Sequence, residues 1–144
     1  MNKTSVLFLC TANSARSQIA EALLRSYAGD RYEAFSARLE PEDIHPLTKQ
    51  VMDEIGLSID KQYSKALTDY AGKLHFGYLI TVCSKADEKC PKSFPGMGQR
   101  LYWDFEDPAK LIGSEENRLA KFREIRDEIR RKIEEWVDEQ ARKT

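Results

Sequence analysis

A cysteine followed by five residues and an arginine is the stretch of this 144-residue chain whose residue types can do chemistry. It reads Cys10-Thr11-Ala12-Asn13-Ser14-Ala15-Arg16 and is closed by Ser17. The apolar run Val6 to Leu9 reads as a short buried strand ending at Cys10, and Ser17 opens a helical pattern. That places a thiol at the carboxyl end of a strand, in a tight loop, beside a helix N-terminus. The helix end carries partial positive charge, Arg16 adds a full one, and loop amides and hydroxyls donate hydrogen bonds. A thiol so placed has a lowered pKa and is a nucleophile near neutral pH. The same amides and the Arg16 fork suit a tetrahedral oxyanion. Cys-five-Arg alone is a weak pattern. Its position between a strand and an amphipathic helix is what makes it specific.

Cys83 and Cys90 are the remaining thiols, and both lie in a polar stretch with Pro91 and Pro95. Read for packing alone, Cys83 is a small hydrophobe closing a strand and Cys90 a surface thiol. Read chemically, they complete a thiol relay, because thiolate attack passes an oxidised state from one sulfur to the next. Zinc does not suit the spacing: structural sites pair cysteines two to four residues apart and need four ligands. No metal or other cofactor is expected. Asp107 precedes Pro108; that pairing is a common turn, and equally a carboxyl able to protonate a leaving oxygen. Asp104 and Glu106 are weaker candidates. His45 and His75 have no partner pattern, and a low-pKa thiolate needs no separate base from them.

These groups need a frame. Helical spacing covers Ser17 to Tyr27, with Ser17 as a cap and Gly29 as the stop. Tyr32 to Ala37 is a second strand, and Leu47 to Ile55 a helix stopped by Gly56. Tyr78 to Val82 is a central strand. Leu101 to Trp103 is a short edge strand, after a polar segment from Cys83 to Gly98 that reads as mobile. Glu115 to Lys143 is one long helix with Leu119, Phe122, Ile125, Ile129, Ile133, Trp136 and Val137 on one stripe. Alternating strands and helices give a three-layer α/β/α domain over residues 1–144 with a small central parallel sheet. In such a sheet ligands bind at the carboxyl ends of strands, so Cys10 and Cys83 can face one crevice.

Net charge is −1, which gives no field for nucleic acid, and 41% hydrophobic content fits a soluble protein. The run after Lys3 is shorter than the ~7–15 apolar residues of a signal core, and no stretch is long enough to span a membrane. Three cysteines do not suit a secreted disulfide scaffold. A cytoplasmic monomer is expected.

The segment Val6 to Ser17, continuing Gln18-Ile-Ala-Glu21, resembles the phosphate-binding loop of the low-molecular-weight tyrosine phosphatase superfamily. Its Ser17-Gln18 ending is similar to that of the superfamily's arsenate reductases. Val82-Cys83-Ser-Lys-Ala-Asp87-Glu-Lys-Cys90-Pro91 and Trp103-Asp-Phe-Glu-Asp107-Pro108-Ala109 resemble the thioredoxin-coupled arsenate reductases. With Ser36-Ala37, the likeness covers most of the chain. The resemblance implies a low-molecular-weight phosphotyrosine phosphatase-like fold and the reduction of arsenate to arsenite. It implies that Cys10 attacks arsenate while Thr11, Ala12, Asn13, Ser14, Ala15 and Arg16 hold the oxyanion. Ser17 stabilises the thiolate, Cys83 releases arsenite by forming a Cys10–Cys83 disulfide, and Cys90 shifts it to Cys83–Cys90. Thioredoxin or a similar dithiol then reduces that bond, and Asp107 serves as general acid.

The chain departs from the family at several positions. Ala12 stands where glycine is usual, Ala15 where a second cysteine is usual, and Arg38 where glycine is usual. In some relatives the residues matching Asn13, Glu21, Ser36 and the stretch near 63–65 hold potassium; here Lys65 stands about where a carboxylate would be, so its ammonium is expected to pair with Glu21 instead. Two other functions stay open. One is a low-molecular-weight phosphotyrosine phosphatase using Cys10, Arg16 and Asp107, disfavoured by Ala109-Lys110 where phosphatases commonly carry aromatics. The other is a non-catalytic thiol protein that binds arsenite or senses oxidation without needing Arg16.

Overall fold

The computed structural model describes residues 3–10, 15–39, 43–70, 75–82 and 97–143. Its sheet is formed by β1 (Thr4–Cys10), β2 (Tyr32–Arg38), β3 (Phe76–Thr81) and β4 (Met97–Tyr102) in the order β2-β1-β3-β4, with all pairs parallel. Val6, Leu7, Phe8 and Leu9 of β1 are all fully buried. A central parallel strand is covered on both faces, which is why this segment is uniformly apolar rather than alternating.

Helix α1 (Arg16–Ala28) packs on β1, on β2 and on the long helix α3 (Glu115–Arg142), while α2 (Pro46–Asp53) lies against α3. The stripe of α3 faces inward as its spacing requires: Phe122, Ile125, Ile129, Ile133, Trp136 and Val137 are buried, and Leu119 is partly buried. Trp136 stacks with Tyr32, Tyr78 and Trp103, and Trp103 with Phe8, so one aromatic chain ties α3 to β1, β2 and β3. Ile129 is fully buried in this core. Ile129→Ala is expected to cost about 2–5 kcal/mol of unfolding free energy, read from urea denaturation.

Three local expectations are corrected. Ser17 is not the cap of α1; Ala15 holds that position with no side-chain hydrogen bond, and Ser17 lies inside the first turn. Gly29 ends α1 as read, following Ala28 in a right-handed conformation. The edge strand begins at Met97 rather than Leu101, because Gly98 belongs to the strand: a Cβ there would come within 2.5 Å of the Gly77 carbonyl oxygen on β3. That close approach excludes a side chain, and it makes the sequence look like loop. The charges of α3 are not only a solvated face, since Arg126 is buried and donates to the Val51 carbonyl and to Glu54, with Arg123 on the same carboxylate. Gly56 behaves as read: at φ +75° it closes α2, with its own N–H on the Asp53 carbonyl and that of Leu57 on the Met52 carbonyl.

Candidate active site

Cys10 is the last residue of β1 and is buried. In the ladder it lies opposite Arg38, and its carbonyl accepts from the Leu39 amide at 3.3 Å. The chain re-enters the described structure at Ala15, which has no side-chain acceptor to offer the first turn of α1. Helices leave their first N–H groups unsatisfied unless something caps them. With no side-chain cap among the described residues, an α1 beginning six residues after a strand-end thiol is arranged to receive an anion.

Arg16 opens α1 and is itself buried. Its Nη1 donates to the Phe105 carbonyl at 2.8 Å, and its Nη2 stands 3.6 Å from Asp107 Oδ2. Its Nε is buried with no hydrogen-bond partner among the described residues. Buried polar groups are almost always satisfied, and a buried guanidinium N–H without an acceptor calls for one. Nε and Nη2 share the edge of the fork left over once Nη1 is anchored, and such an edge matches two oxygens of a tetrahedral oxyanion.

Asp107 is positioned by its own turn and by the sheet. The Trp103 amide donates to the Thr81 carbonyl and that of Phe105 to the Val82 carbonyl, so the chain leaving β4 keeps tracking the end of β3. This delivers the Phe105 carbonyl to Arg16. Asp107 then caps the 3-10 turn Pro108–Lys110 by accepting from the Ala109 amide with Oδ1, which leaves Oδ2 facing Arg16. A small core of Ala15, Leu47, Val51 and Phe122, with Ala109 and Leu119 against it, clamps the two ends of the site together. Asp104 and Glu106 are exposed, and Glu106 pairs with Lys121 of α3.

Of the residues expected to act, Cys10 ends β1, Ala15, Arg16 and Ser17 begin α1, and Asp107 faces Arg16. Ser17 is fully buried there. Thr11, Ala12, Asn13, Ser14, Cys83 and Cys90 lie outside the described residues. Val82, the residue before Cys83, is buried, and its amide donates to the Leu9 carbonyl at 2.9 Å. His45 serves the structure, since its Nδ1 accepts from the Leu47 amide at the start of α2 and its ring lies on Phe122. His75 is exposed. The Phe105 carbonyl escaped sequence reading altogether, because a backbone acceptor leaves no mark in residue type.

Behind the first turns of α1 sits a buried charge cluster. Glu21 accepts from Ser36 Oγ and Arg25 Nη2, and Lys65 Nζ lies 3.5 Å from its Oε1. Lys65 Nζ also donates to the Tyr63 carbonyl at 2.8 Å and sits over the Tyr63 ring. Burial pushes the Lys65 pKa below its usual value, and Glu21 opposes that shift. A monovalent cation at Glu21 and Ser36 does not fit these residues, because Lys65 already brings a positive charge to the carboxylate. Arg38 is fastened alongside: its amide donates to the Lys65 carbonyl and its Nε to Ser64 Oγ.

Residues 5–144 match the model of the low molecular weight phosphotyrosine protein phosphatase family. The chain belongs to this family. Among similar members, the arsenate reductase of Halalkalibacterium halodurans is 38% identical over 138 residues, covering 96% of this chain and 98% of that protein. The arsenate reductase of Bacillus subtilis is 35% identical over 139 residues, with coverage of 96% and 98%. The solved structure of the thioredoxin-dependent arsenate reductase of Corynebacterium glutamicum is 35% identical, with a TM-score of 0.72; the match covers 99% of this chain and 64% of that one. The parallel α/β sheet described above is the fold of the phosphatase family, and Cys10 with Arg16 stands at its strand-to-helix loop.

Proposed function

We propose that this family member reduces arsenate to arsenite through a relay from Cys10 to Cys83 to Cys90, regenerated by thioredoxin or a similar dithiol. The observation that carries the reading is the hydrogen bond from the Val82 amide to the Leu9 carbonyl. It sets the residue before Cys83 beside the residue before Cys10, on neighbouring parallel strands. A phosphatase needs one thiol there; a reductase needs two.

The chemistry balances on those thiols. The Cys10 thiolate attacks arsenic, and an oxygen leaves as water on a proton from Asp107. The Arg16 Nε/Nη2 edge and the α1 N-terminus hold the remaining oxygens. Cys83 thiolate then attacks Cys10 Sγ. The sulfur–arsenic bond breaks with its electron pair going to arsenic, so As(V) becomes As(III) while two thiols become a disulfide. Cys90 attacks Cys83 and frees Cys10, and the external dithiol reduces Cys83–Cys90. The deciding assay combines protein, arsenate, thioredoxin, thioredoxin reductase and NADPH. Sustained arsenate-dependent NADPH loss, abolished by changing Cys10, Cys83 or Cys90 singly, supports the relay; no loss with clear aryl phosphate hydrolysis turns the reading to a phosphatase.

The Arg16–Asp107 contact also suits phosphoryl transfer, so slow aryl phosphate hydrolysis accompanies the main reaction. Asp107→Asn removes the proton donor but keeps an acceptor for the Ala109 amide. It is expected to lower kcat for aryl phosphate hydrolysis by roughly 10²–10⁴-fold, with the larger loss for the poorer leaving group. An unchanged rate with a poor leaving group removes Asp107 from the acid role.

A further inference from the structure

We propose that Lys65 is a tethered cation: its ammonium fills an oxygen-lined site formed by Glu21 and the Tyr63 carbonyl beside Ser36, and thereby positions the oxyanion loop without any free monovalent ion. The side chains of Lys65 and Glu21 are only 9% and 5% exposed, so this is an interior ion pair rather than a surface one. The ammonium has an acceptor in the Tyr63 carbonyl, a carboxylate oxygen at 3.5 Å and an aromatic face below it. The half-exposed Arg25 already pairs with the other oxygen of Glu21, so charge neutralisation alone does not account for a further cation that is itself buried.

What Lys65 adds is a junction. Glu21 belongs to α1, whose first residues are Arg16 and Ser17; Ser36 belongs to β2; and the Lys65 carbonyl takes the amide of Arg38, the ladder partner of Cys10. Lys65 therefore links the two: its ammonium meets Glu21 on the helix carrying Arg16, and its backbone carbonyl holds the strand beside Cys10. An interior oxygen-lined site emptied of its ammonium takes a small cation of the same charge, because the buried Tyr63 carbonyl loses its donor and the Glu21 oxygen beside it loses one of its positive neighbours. Lys65 is thus a positioning residue, and the readout is cation-specific rescue.

The inference rests on the oxyanion-binding reading of the Cys10 loop, so the probe is inorganic phosphate binding rather than turnover. Phosphate affinity of the reduced protein is measured by calorimetry in sodium, potassium, ammonium and tetramethylammonium chloride at equal ionic strength, together with thermal midpoints. Wild-type affinity is expected to agree across the salts within about twofold. Lys65→Ala should weaken phosphate about tenfold in tetramethylammonium and recover most of that in ammonium or potassium. Lys65→Gln, which keeps most of the length without the charge, should be weakened in every salt, because its amide occupies much of the space a cation would take. A wild type whose affinity rises with potassium overturns the proposal. So does a Lys65→Ala deficit equal in all four salts, or a Lys65→Gln that binds like wild type. If wild type binds no phosphate, the oxyanion reading fails, and the salt dependence of the Lys65→Ala midpoint then decides the role of Lys65 by itself.

Discussion

Arg16→Lys should lower kcat/KM for arsenate reduction and for aryl phosphate hydrolysis by about 10³-fold, or ~4 kcal/mol of transition-state stabilisation. The size follows from what the guanidinium does in place. Nη1 is committed to the Phe105 carbonyl and Nη2 reaches towards Asp107, while Nε lies buried with no partner among the described residues. A lysine ammonium is a single point charge. It can replace one of these contacts but not a rigid fork that holds the chain after β4 on one side and two oxyanion oxygens on the other. Left without its donor, the buried Phe105 carbonyl costs a further ~1–3 kcal/mol of stability, so the variant should also show a lower urea midpoint. The check is steady-state kinetics on both substrates with circular dichroism confirming the fold. Loss confined to KM, with kcat intact, would mean that Arg16 only binds the ground state.

The second large effect separates reduction from hydrolysis. Cys90→Ser should abolish sustained arsenate-dependent NADPH oxidation yet release close to one arsenite per chain in a single turnover, leaving Cys10 locked to Cys83. Aryl phosphate hydrolysis by the freshly reduced variant should match wild type, because that reaction needs only Cys10, Arg16 and Asp107. Cys83→Ser should differ by releasing no arsenite at all, since nothing attacks the Cys10 adduct. The measurements are rapid-quench arsenite yield and a thiol count before and after arsenate. Full multiple turnover by Cys90→Ser with thioredoxin would falsify the relay in the order given.

The thiol at the end of a buried strand, the arginine opening the next helix and the parallel α/β layout were all legible in residue order. They depend on local signals: an uninterrupted apolar run for β1, helical spacing for α1 and α3, and a short covalent span from Cys10 to Arg16. The pairing of Lys65 with Glu21 was also anticipated, from residue types at family positions, though Arg25 on the same carboxylate was not. Gly98 misled because glycine usually weakens a strand, whereas here the neighbouring Gly77 carbonyl leaves no space for a side chain.

By itself, then, the sequence determined which residue types are able to react, and for Cys10 and Arg16 on which ends of which elements they stand, because propensity and covalent spacing act over a few residues. Only the tertiary structure decided that the Phe105 carbonyl anchors Arg16, that the Asp107 carboxyl faces the same guanidinium, and that Lys65 is buried against α1. Arg16 and Phe105 are separated by 89 positions, and Glu21 and Lys65 by 44. Their contact depends on how β3 and β4 extend past the sheet and how α2 and α3 clamp Ala15 to Ala109, which is a matter of packing among distant segments that no local pattern records.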